Sequence, residues 1–128
     1  MIHQISNDEF ALFEGSVKWF QKYYGLTNYE IYCNLQSCKG NRGACEVDLH
    51  SRIAGIALNK RYPIADNDNL VEDIKKCAFH EIYEVMLWRL EELATEKTTT
   101  PKQLEDARHE IIRIHENTVF HELKDRIE

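Results

Sequence analysis

The residues with the most chemical potential in this chain lie in one run, Phe79-His80-Glu81-Ile82-Tyr83-Glu84. On a helix, His80 and Glu84 are four residues apart and share a face, with Glu81 beside them. The surrounding positions, Phe79, Ile82, Tyr83, Val85, Met86, Leu87, Trp88 and Leu90, are apolar or aromatic. Three titratable groups in such a helix are expected to be paired or to hold a metal, because burying them alone is costly. The pattern is one letter from H-E-x-x-H, which sets two imidazoles around a zinc ion and leaves the glutamate as a general base. His-Glu also occurs at 109, 115 and 121. Those copies have charged neighbours, so the apolar setting singles out His80.

A catalytic zinc takes three protein ligands and keeps one position open for water. His80 and Glu84 supply two, and the third is expected from the next helix. There Glu105, His109, Ile112, Glu116 and Val119 fall on one face. His109 is the expected third ligand, with Glu116 as its hydrogen-bond partner or its substitute. His115 points about a third of a turn away from Glu116. The expected centre is therefore one Zn2+, or another divalent metal, held by His80, Glu84 and His109. Glu81 would take a proton from metal-activated water and return it to a leaving amine. A carboxylate ligand donates more charge than imidazole, so this metal would be a weak Lewis acid. The plain alternative is an interior helix with ion-paired carboxylates. Cys33, Cys38, Cys45 and His50 also invite a metal reading, but their spacings lack the short knuckles of structural zinc sites. Cys33 and Cys45 read more simply as small hydrophobes on two neighbouring strands, and Cys77 reads as core.

The elements that must position these groups follow from periodicity. The 128 residues form one domain, 1–128. At 43% hydrophobic and 30% charged the chain is globular rather than disordered. A net charge of -6 disfavours nucleic acid as a partner. No apolar run reaches membrane-span length, and no leader pattern opens the chain. The expected setting is cytoplasmic, with reduced thiols. Phe10, Phe13, Val17, Phe20 and Tyr24 predict a first helix over 9–24. Tyr29–Leu35 and Ala44–Leu49 alternate as strands, and Ile53–Leu58 is a third apolar run. Residues 59–68 read as a loop. A long helix is capped at Asn69 and runs to about Thr95. A last helix starts at Thr100-Pro101 and runs to about Lys124. The fold class is α+β, an N-terminal helix, a small three-stranded sheet, the long helix and a C-terminal helix.

Ala78-Phe79-His80-Glu81-Ile82-Tyr83-Glu84, followed by Arg108-His109-Glu110-Ile111-Ile112-Arg113 and Glu116-Asn117, resembles small phage-encoded proteins of the zincin-like metallopeptidase fold. The order of elements is similar too, over about Tyr29 to Phe120. The resemblance implies a zinc-dependent peptidase with His80 and Glu84 as ligands and Glu81 as base. It also implies a host-cytoplasmic setting and a peptide or protein substrate. An edge strand at Ile53–Leu58, flanked by Arg52 and Asn59, would pair with the extended substrate. Most active zincins have histidine where this chain has Glu84. That departure opens an alternative, a catalytically inactive descendant that binds a protein partner, such as a phage factor acting on a host protein.

Overall fold

The computed structural model describes residues 1–126. Ser6 starts the first helix, α1 (Asn7–Tyr23). Its hydroxyl accepts from the Glu9 N–H at 3.2 Å, and the Glu9 carboxylate accepts from the Ser6 N–H at 2.7 Å. This reciprocal cap begins the helix two residues before the expected start at Glu9. Phe13 and Val17 on its inner face are fully buried.

Three strands follow, β2 (Glu30–Gln36), β3 (Gly43–Asp48) and β4 (Ile53–Asn59), in the spatial order β2-β4-β3. β4 is parallel to β2 and antiparallel to β3. Ile53–Leu58 is thus the centre of the sheet and not its edge, which corrects the expectation drawn from the resemblance. The physical reason is its composition. Ile56, Ala57, Leu58 and Asn59 are all buried, whereas β2 and β3 alternate with polar residues that tolerate a half-open edge. Cys33 and Cys45 sit opposite Ile56 from its two sides, so β4 separates the strands that the sequence reading made neighbours. The face bearing Ile31, Cys33, Leu35, Ala54, Ile56, Leu58, Cys45 and Val47 joins the helices in one core. The opposite face carries exposed Glu30, Tyr32, Asn34, Glu46 and Asp48.

The expected loop at 59–68 contains a further strand, β5 (Arg61–Pro63), paired antiparallel with β1 (Ile2–Gln4). Tyr62 of β5 is completely buried. Pairing with the N-terminal segment is a long-range event, so no local pattern announces it.

The long helix is α2 (Leu70–Thr95), with the Asn69 side chain accepting from the Glu72 N–H. Only one side of it is buried, through Ile74, Cys77, Ala78, Glu81, Ile82, Val85 and Met86. Phe79 and His80 are exposed, which corrects the expectation of a helix enclosed on nearly all sides. α3 (Pro101–Asn117) opens with Thr100 and Gln103 capping each other's backbone. It ends earlier than expected. Buried Thr118 donates its hydroxyl to the Ile114 carbonyl at 2.8 Å and takes a non-helical backbone. Such a side-chain bond competes with the helical ladder, and the chain resumes as α4 (Val119–Leu123) and a 3-10 turn at Lys124–Arg126. Arg89 of α2 and Glu110 of α3 pair at 2.6 Å across the helix interface. Among the described residues no helix is long and apolar enough to cross a membrane.

Candidate active site

A cleft of about 500 Å³ runs between α2 and the start of β3, lined by Arg42, Gly43, Cys45, Cys77, His80 and Glu81 among others. Two rows of α2 side chains form its helical wall. Asp73, Cys77 and Glu81 make the floor, and Lys76, His80 and Glu84 make the rim. Each row steps by four residues, the spacing that keeps side chains on one helical face.

Glu81 is the unusual group. It is only 5% exposed, yet its carboxyl faces the cleft, and no hydrogen bond from a described residue reaches it. Burial pushes it up to about 7; Glu84 pushes the same way and His80 opposes. A carboxyl poised there can give or take a proton near neutral pH.

Gly43 makes the opening possible. A Cβ at this position would stand 2.8 Å from the Ala57 carbonyl oxygen, 3.0 Å from Cys77 Sγ and 3.1 Å from Glu81 Oε1. Any larger residue would fill the space in front of the carboxyl. β3 therefore approaches α2 closely at Gly43.

His80 and Glu84 are brought together on the rim, Nε2 to Oε1 at 3.4 Å, with side chains 68% and 41% exposed. Two donors each about 2.1 Å from a tetrahedral zinc stand about 3.4 Å apart, so the pair fits one edge of a metal site. Among the described residues no third histidine, cysteine or carboxylate joins them in a group able to hold a metal. His109 lies exposed on α3 with Nδ1 donating to the Glu105 carbonyl at 2.9 Å, and it does not line the cleft. Glu116 is also exposed and borders a separate apolar hollow near Ile112 and Phe120. Two protein donors are thus brought together among the described residues, one fewer than the three a catalytic zinc takes.

His115 has a different partner. Its Nδ1 is 2.9 Å from the Ile111 carbonyl, which can only accept, so Nδ1 donates; in that tautomer Nε2 accepts from the Tyr83 hydroxyl at 2.9 Å. Tyr24 and Tyr83 hydroxyls stand 3.4 Å apart. This cluster ties α1, α2 and α3 together behind the cleft.

Sequence reasoning did not find the cleft's far end. Arg42 donates to the Pro63 carbonyl at 3.3 Å and pairs with Asp73 at 3.4 Å and Asp68 at 3.7 Å. The buried Tyr62 hydroxyl donates to Asp73 Oδ2 at 2.5 Å. These contacts span β5, the β2–β3 connection and α2, and no local motif signals them. The four cysteines are free. Burial pushes Cys33 up to about 11 and Cys45 and Cys77 up to about 12, so at neutral pH they are protonated, poorly nucleophilic packing groups.

Comparisons with protein-family models, with curated proteins and with solved structures found no match.

Proposed function

We propose that this protein is a metallopeptidase-like hydrolase acting in the cleft between α2 and β3, with Glu81 as the general base. The observation that carries this is Glu81 itself, a buried carboxyl without a hydrogen-bond partner among the described residues, facing a cleft large enough for a substrate. Desolvation disfavours its ionised form, and the raised value that results suits a group exchanging a proton near neutral pH. His80 and Glu84 would hold a divalent metal, zinc by the chemistry of the donors, and the metal would supply Lewis acidity toward water and a carbonyl. Ionised Glu81 takes a proton from the attacking water as the water oxygen bonds to the carbonyl carbon. It passes that proton to the leaving nitrogen as the C–N bond breaks, giving a carboxylic acid and an amine.

The edge of β3 supplies a place for an extended peptide. The Asn59 N–H donates to the Arg42 carbonyl at 2.9 Å, so the ladder bonds to β4 fall at 42, 44, 46 and 48 in the observed register. The backbone groups of Gly43, Cys45 and Val47 then point away from β4, to the open edge above Glu81. Strand addition at that edge needs no metal. It therefore also favours the second reading, a zincin-like protein that binds a partner without turnover.

Zinc titration by calorimetry and hydrolysis of a quenched-fluorescence peptide library test the proposal together. Zinc binding is expected to weaken at least tenfold in His80→Ala and Glu84→Ala and to hold in His109→Ala. Glu81→Gln is expected to bind zinc and lose turnover. Equal zinc affinity in all proteins overturns the metal site, and undiminished turnover in Glu81→Gln overturns the base.

A further inference from the structure

The cleft has a direction, and its charges are graded along it. Arg42 meets Asp73, and Gly43, the next residue along the chain, meets Cys77 and Glu81 one and two turns further along the helix. Strand β3 and helix α2 therefore run the same way along the cleft. A peptide added to the free edge in the antiparallel sense, the more stable ladder, would run the opposite way. Its C-terminal side would lie toward Arg42 and Lys76, and its N-terminal side toward Glu84.

The two ends differ in their free charge. At one end Arg42 is engaged by Asp68, Asp73 and the Pro63 carbonyl. Lys76 on the rim is exposed and in no ion pair among the described residues. Glu81 and Glu84 occupy the middle and the other end. Lys76 is one helical turn, about 6 Å, from His80. An extended chain advances about 3.4 Å per residue, so Lys76 faces a residue about two positions beyond the one at His80. Residues two apart on a strand share a face, so both look into the cleft.

We infer that the cleft selects extended peptides bearing a carboxylate about two residues to the C-terminal side of the group at His80, with Lys76 as its partner. An acidic side chain and the peptide's own terminal carboxylate offer the same chemistry. The inference rests on the peptide-binding reading of the β3 edge, and names its substrate class.

Fluorescence anisotropy on the full Glu81→Gln chain, which stops turnover, tests it. The probes are four fluorescein-labelled hexapeptides of one Ala/Val/Thr sequence. One has a free C-terminal carboxylate and one a C-terminal amide. The other two are amides carrying Asp as the next-to-last or as the second residue. At least one of the free-acid and next-to-last-Asp peptides is expected to bind about fivefold tighter than the plain amide, the scale of a partly exposed ion pair. Which of them gains identifies the source of the carboxylate. The advantage should persist in Lys76→Arg, vanish in Lys76→Met and invert in Lys76→Glu. Equal binding of all four peptides, or an advantage untouched by Lys76→Glu, overturns the selectivity while leaving the edge reading standing. A preference for Asp at the second position overturns the direction. Binding of none overturns the edge reading itself, and this inference with it.

Discussion

Replacing Glu81 by Gln isolates what ionising a buried carboxyl does to the fold. Its ordinary value of 4.5 is raised to about 7. A 2.5-unit rise corresponds to about 3.4 kcal/mol between the protonated and ionised forms. The folded protein holds the Glu81 proton more tightly than the unfolded chain. The associated stability is thus fully present below about pH 4.5 and is lost as pH rises through about 7. Of the total, about 2.5 kcal/mol falls between pH 5 and pH 8. Glutamine carries no charge at either pH. Its own fit beside Cys77 and Gly43 adds a constant offset, and the other titrating groups are common to both proteins. The measurable quantity is therefore the change in the difference. Urea unfolding of both proteins at pH 5, 6, 7 and 8, with EDTA present throughout, should show Glu81→Gln gaining about 2.5 kcal/mol on the parent as pH rises. A difference that stays constant within about 0.5 kcal/mol would refute the reasoning, because Glu81 would then be ionised in the fold at no cost.

Gly43→Ala should lower stability by about 1–3 kcal/mol in urea unfolding, because the new methyl meets the Ala57 backbone carbonyl of β4 at 2.8 Å, which cannot swing aside; unchanged stability would mean that β3 does not approach β4 that closely there. Tyr83→Phe removes the hydroxyl that His115 Nε2 accepts at 2.9 Å and should cost about 1 kcal/mol. A double cycle with His115→Phe should show that the two losses are not additive, and additivity would mean that the bond contributes nothing.

The sequence determined those parts of this protein that local physics controls. The caps at Asn69 and Thr100 are short-range hydrogen bonds. The three strands of the main sheet follow from two-residue alternation, and the pairing of His80 with Glu84 follows from the four-residue helical repeat. The central place of β4 accords with its apolar run, which belongs between two strands. Tertiary structure decided which of the three chemical groups on α2 is buried. Adjacent residues stand about 100° apart around a helix, and packing against Gly43 sets the rotation that puts Glu81 on the cleft floor and leaves His80 exposed. Tertiary packing likewise left His109 exposed on α3. It also assembled Arg42, Tyr62 and Asp73 from segments whose spacing in the chain carries no period. Periodicity shows which residues share a face; what that face meets depends on long-range contacts that no local window contains.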